Sequence, residues 1–180
     1  MAHIKLLNED LPGISGLLTN NPHTAAPLLN LAETLLRGPS TLTSGERELI
    51  ASYVSHLNDC HFCHTSHGAA AAAHLACDLS IIDDIKKNFV QTDISPKLRA
   101  LLNIAAKVQK GGKHVLEADV EAARNEGATD EEIHDSVLIA AAFCMFNRYV
   151  DGLGTWAPKE NEAYREMGEK MAFLGYNRPR

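Results

Sequence analysis

Thr43-Ser44-Gly45-Glu46-Arg47-Glu48-Leu49-Ile50-Ala51-Ser52-Tyr53-Val54-Ser55-His56-Leu57 carries both the start signal and the periodicity of a helix. Thr43 followed three residues later by Glu46 reads as a capping box, in which the hydroxyl accepts from the N3 amide and the carboxylate reaches back to the N-cap amide. Leu49, Ile50, Tyr53, Val54 and Leu57 then recur at helical spacing as one apolar stripe. Glu46 is engaged by the cap. Glu48 projects away from the stripe, beside Ala51, Ser52 and Ser55, on a face of small residues where another helix can approach closely.

The same punctuation recurs along the chain, and alternating β-branched runs are absent, so the sequence reads as all-α. After a loop-like start (8–12 and 19–22), residues 25–37 hold leucines at helical spacing and end at Gly38-Pro39-Ser40. Asn58-Asp59 interrupts the pattern and offers an N-cap for a helix from Cys60 through an alanine block to about Ala76. Further helices are expected over 80–88, over 96–109 behind Ser95-Pro96, and over 117–125. A second capping box, Thr129 to Glu132, opens a long apolar helix to about Val150, and 159–174 forms the last. In 180 residues nothing resembles a linker, so one domain is expected.

A formal net charge of −6 argues against nucleic acid or an anionic membrane as partner. No basic N-terminal segment precedes a long apolar run, and a cytoplasmic protein is expected. Four cysteines are too few for a disulfide-stapled scaffold, so a close pair points to redox chemistry or metal binding.

That pair lies in Cys60-His61-Phe62-Cys63-His64-Thr65-Ser66-His67. At helical pitch Cys60, Cys63 and His67 share one face, and Glu48 stands twelve residues before Cys60. The thiolate is the nucleophile, and an ordinary thiol is mostly protonated at neutral pH. A helix N-terminus can lower the pKa of Cys60 and Cys63. His67 can take or relay the proton, and Glu48 can orient His67 or accept a proton through water. Two other readings of the same residues are core cysteines, and a zinc site of Cys60, Cys63 and His67 with His64 or Glu48 as fourth ligand. His61 and His64 read as solvent-facing, Cys77 and Cys144 as buried small residues. The alanine block reads as a close helix-packing surface, within or between subunits.

The chain also carries traces of a degenerate internal duplication. At an offset of 84, Cys60, Phe62, Gly68 and Glu48 face Cys144, Phe146, Gly152 and Glu132, whereas the capping boxes match at 86. Asn147 and Asp151 stand where the first copy has Cys63 and His67, which leaves one chemically competent copy.

Glu48, eleven intervening residues, Cys60, Cys63 and His67 resemble the Glu-x11-Cys-x-x-Cys-x3-His signature of the AhpD-like alkylhydroperoxidases of the carboxymuconolactone decarboxylase superfamily. Residues 46–51, Ser55, Asn58, Phe146-Asn147-Arg148 and Asp151-Gly152-Leu153-Gly154 are most similar to its peroxidase-related subgroup. The resemblance covers about residues 20–175. It implies an all-helical subunit in a trimer or hexamer that reduces a hydroperoxide without cofactor or metal. Cys63 would attack the peroxide, Cys60 would resolve the sulfenic acid, and Glu48 with His67 would relay protons. A thiol reductant of dihydrolipoamide or thioredoxin type would close the cycle. The residue just before the second cysteine, a histidine in the characterised pattern, is Phe62 here.

Overall fold

Both capping boxes close as expected in the computed structural model of the chain, which describes residues 2–177. The Glu46 amide donates to Thr43 Oγ1 at 3.2 Å and the Thr43 amide to Glu46 Oε2 at 2.8 Å. Thr129 and Glu132 repeat the pattern at 3.1 and 2.9 Å. Among the described residues the helices are α1 (Gly13–Asn20), α2 (Pro22–Arg37), α3 (Ser44–Leu57), α4 (His61–Leu75), α5 (Leu79–Asn88), α6 (Pro96–Lys110), α7 (Glu117–Asn125), α8 (Asp130–Gly152) and α9 (Asn161–Leu174). No strand occurs among them, which makes the fold all-α. None of these helices is long and apolar enough to cross a membrane.

α3 is the centre of the molecule. The sequence shows it as amphipathic, yet every residue from Arg47 to Ser55 is buried, because α4, α6 and α8 close on it from different sides. Its stripe residues Leu49, Ile50 and Val54 join Leu36, Leu101, Leu102, Ile104, Ile139 and Phe143 in the main core. Its polar residues find partners: Ser52 Oγ donates to the carbonyl of His64 at 2.7 Å, which sews α3 to α4. Buried Arg47 donates to the carbonyls of Leu35 and Gly38 and pins the turn after α2.

The turn between α3 and α4 is tight. Asp59 takes the left-handed conformation at φ 59°, a place that Asp and Asn tolerate better than other residues with a Cβ. As a result the N-cap is Cys60 itself rather than Asn58 or Asp59, and the helix starts at His61. Further along α4 the alanine block is buried between α3 and α9. A Cβ on Gly168 of α9 would fall 2.5 Å from both the carbonyl carbon and the Cβ of Ala69. The smooth face is therefore occupied within the subunit.

Two elements depart from the sequence reading. Residues 13–20, read partly as loop, form α1, an eight-residue helix too short to show a period and too short to be stable alone. Docking holds it: the Gly13 amide donates to the Trp156 carbonyl at 2.9 Å, and Leu17 and Leu18 are buried. Gly13 has φ +53°, and a Cβ there would lie 2.2 Å from the Phe62 ring, so this position requires glycine. α2 begins at Pro22, earlier than expected, with Pro at the first turn and Pro27 inside.

A Gly168→Ala variant tests the α4–α9 contact. Alanine is the better helix former by about 1 kcal/mol. We nevertheless expect a net loss of about 1–3 kcal/mol on chemical denaturation, because the new methyl meets backbone that cannot move aside cheaply. A stabilised variant would show that the two helices are not held this close.

Candidate active site

Cys60 at the N-cap and Cys63 at the third helical position both sit at the N-terminus of α4, 0% and 3% exposed. All four cysteines are free. The expectation that the helix N-terminus lowers both thiol pKa values is corrected for Cys60, whose thiol is held far above its ordinary range. The first cause is its hydrogen bond to Cys63 and the second is burial. Cys60 also bonds to the carboxyl of Asp151 at the end of α8, whose own pKa is raised by burial. Cys60 is thus held in its thiol form. Phe62, Val150 and Tyr164 wall the two thiols, and burial with the nearby sulfurs pushes the Tyr164 phenol up to about 12.

One turn beyond Cys63, His67 Nδ1 lies 2.7 Å from Glu48 Oε2. Glu48 is 0% exposed, whereas Glu46 stays in its cap. The small-residue face of α3 is what lets the carboxylate reach α4. Carboxylate oxygens accept, so the nitrogen facing Glu48 carries a proton, and in the neutral ring the lone pair then lies on Nε2. The other oxygen, Oε1, accepts from the phenol of Tyr176 at 2.5 Å. Nothing in the sequence signals Tyr176, which lies past the end of the last expected helix.

Below the site, Asn147 of α8 takes the place that the duplication assigns to Cys63 and does structural work. Buried Asn147 donates to Ser55 Oγ at 2.9 Å and accepts from Asn58 at 2.8 Å, while Gln109 of α6 donates to Asn58 at 3.0 Å. This network fixes the α3–α4 turn that carries Cys60. Glu132 departs from the assigned pairing with Glu48. It caps α8 as Glu46 caps α3, and it accepts from Lys97 at 2.7 Å.

The other histidines of the stretch face elsewhere. His61 is exposed, and its ring meets those of His64 and Tyr164 edge-on. His64 is not solvent-facing as expected: half-buried, its Nδ1 lies 3.3 Å from the Nζ of buried Lys86, which pairs with Asp83 at 2.7 Å. Burial, then the Lys86 charge, pushes the His64 pKa down to about 4. Among the described residues no group of three or more His, Cys, Asp or Glu is arranged to hold a metal ion. The zinc grouping of Cys60, Cys63 and His67 is not assembled.

Cys63 and His67 open on a small apolar cavity of about 60 Å³, walled also by Leu28, Ala32, Phe143 and Phe146. A wider groove of about 530 Å³ shares Ile14, Leu18, Leu29, Phe62, His67 and Tyr176 with it and leads outward past Met167 and Met171. Phe62 is therefore a wall of the approach, not a proton carrier.

No curated protein matches this chain. Among solved structures, an uncharacterized peroxidase-related protein of Ralstonia eutropha JMP134, described as an alkylhydroperoxidase AhpD core, is 27% identical with a TM-score of 0.81 over 93% of this chain and 96% of its own. An uncharacterized peroxidase-related protein of Silicibacter sp. TM1040 is also 27% identical, with a TM-score of 0.76 over 86% of this chain and 78% of its own. A putative antioxidant defence protein AhpD of Agrobacterium tumefaciens shares the fold at 22% identity, with a TM-score of 0.67 over 80% of this chain and 97% of its own. The sequence profile of the carboxymuconolactone decarboxylase family matches twice in succession, over residues 22–83 and 81–157, so the internal repeat is real. By that double match and the shared helical architecture, the chain belongs to the carboxymuconolactone decarboxylase family and has an AhpD-like fold.

Proposed function

We propose that this chain is a thiol-dependent peroxidase that reduces organic hydroperoxides through Cys63 and Cys60. The observation that carries this reading is the 2.7 Å contact of His67 with fully buried Glu48, one helical turn from a thiol that lines an apolar cavity. His67 Nε2 takes the Cys63 proton, and the thiolate attacks the terminal peroxide oxygen. The O–O bond breaks, Cys63 becomes a sulfenic acid, and the departing alkoxide takes the proton back from His67 to leave as an alcohol. Cys60 then gives its proton to Asp151 and attacks the Cys63 sulfur. A disulfide forms, and the expelled hydroxide takes the proton from Asp151 and leaves as water. An external dithiol, of dihydrolipoamide or thioredoxin type, restores both thiols.

The geometry supports this division of labour, since Cys60 is held as a thiol away from the cavity lining, whereas Cys63 lines the cavity together with His67. The apolar lining favours an alkyl hydroperoxide over hydrogen peroxide, because the groove desolvates a hydrocarbon tail at no polar cost. A reducing cytoplasm suits an enzyme whose turnover needs a thiol donor. We further propose a homo-oligomer, trimeric or hexameric. Leu75, Phe173 and Leu174 are exposed near the ends of α4 and α9, an apolar patch that a second copy can cover.

Dimedone trapping in single variants tests the roles of the thiols. After one equivalent of cumene hydroperoxide we expect Cys60→Ser to hold a trapped sulfenic acid on Cys63 and to stall there. Cys63→Ser should consume no peroxide. A label on Cys60 instead would reverse the assignment.

Glu48→Gln and His67→Ala should each slow thiol oxidation by about 10²-fold, the scale of general acid–base groups. Glu46→Gln should keep the rate and lose up to about 1 kcal/mol of stability through its cap. Stopped-flow rates and thermal melts on the three proteins decide, and a loss of rate confined to Glu46→Gln would overturn the geometry.

A further inference from the structure

The turn after α9 brings a third side chain onto the Glu48–His67 pair. We infer that Tyr176 is a positioning residue of this pair: its phenol holds Glu48 as the acceptor for His67, and a latch from α2 holds the phenol in place. Its kinetic consequence rests on the peroxidase reading above, whereas its effect on thiol reactivity does not.

The contacts are specific. Tyr176 OH donates to Glu48 Oε1 at 2.5 Å and lies 3.4 Å from His67 Nδ1. Its ring stacks on the His67 imidazole at 6.1 Å with 14° between planes, and it walls both the cavity and the groove. The latch is built from Glu33 and Arg37. The Tyr176 amide donates to Glu33 Oε2 at 2.7 Å, and Arg37 Nε donates to Glu33 Oε1 at 3.2 Å. Arg37 also donates to the carbonyls of Met171 and Ala172, tying the end of α9 to α2. Gly175 makes the turn at φ +75°, where a Cβ would fall 2.7 Å from Glu33 Oε2.

A carboxylate with no access to water needs protein donors for its oxygens. Glu48 has one on each: His67 on Oε2 and Tyr176 on Oε1. Burial, then the Glu48 charge, holds the phenol well above its ordinary range, so it remains a donor. Without the phenol, Oε1 is orphaned. The carboxyl relieves that by taking up a proton, which releases His67 Nδ1 and disorients the Nε2 base. Proton uptake is favoured in acid and reversed in base, so the defect has a pH signature. The other titratable or charged groups facing Glu48, His67 and Tyr176 are Arg47 on α3, Cys63 and His74 on α4, and Glu33 and Arg37 on α2. All of them persist in Tyr176→Phe.

The test uses full-length wild type, Tyr176→Phe and Glu33→Ala. Cys63 alkylation by iodoacetamide is followed by peptide mass mapping at pH 6 and pH 8.5, together with cumene hydroperoxide consumption. For Tyr176→Phe we expect alkylation to slow by about tenfold at pH 6, the scale of one hydrogen bond to a charged group, and to return to within about twofold of wild type at pH 8.5. Glu33→Ala, which loosens the latch and leaves the phenol intact, should show the same pattern to a smaller extent. Rates unchanged at both pH values, or lowered equally at both, would overturn the role of Tyr176. If wild type consumes no hydroperoxide while alkylation follows the stated pattern, the positioning role stands and the peroxidase reading fails.

Discussion

The structure turns on a carboxylate placed where water does not reach. Glu48 is 0% exposed in the middle of α3, and a buried charge is tolerable only when its oxygens are met by donors. Meeting that demand requires α4 to lie close enough for His67 to touch the carboxylate. The residues between the two helices are correspondingly small: a Cβ on Gly68 would come within 3.1 Å of Ser52 Oγ, and Ser52 in turn holds the carbonyl of His64. The same close approach leaves Cys60 and Cys63 at the mouth of α4 with their sulfurs buried. One packing constraint thus sets the imidazole, the carboxylate and the thiols together.

α4 also shows how one helix gives its histidines opposite uses. His64 points toward Lys86 and is pushed down to about 4, so at neutral pH it is uncharged and is packed as a wall. His67, three residues on, faces the carboxylate and the cavity. Residue type alone does not separate them. The separation comes from what each meets across the helix interface, a cation in one case and an anion in the other.

Much of this was legible in the sequence because the signals are local. Both capping boxes, the stop after Asn125 and the extent of α8 follow from residues within a turn or two of one another. The placing of Glu48 against the Cys60–His67 helix was legible too, since Ala51, Ser52 and Ser55 mark a face that a second helix can approach. Contacts between distant segments were not. α1 exists because Gly13 docks on Trp156 and Phe62, which no period in eight residues announces. Tyr176 reaches Glu48 across 128 residues of chain. The alanine block announced close packing without naming its partner, and the partner within the subunit proved to be Gly168 of α9.

The central claim, that the buried pair serves a redox-active dithiol, is tested most directly by counting thiols. One equivalent of cumene hydroperoxide is added to the reduced protein under anaerobic conditions, and the remaining thiols are titrated and the disulfide mapped by mass spectrometry. The account predicts loss of two of the four thiols per subunit, joined as a Cys60–Cys63 disulfide, with Cys77 and Cys144 still free. Four unchanged thiols, or a disulfide that includes Cys77 or Cys144, would contradict it.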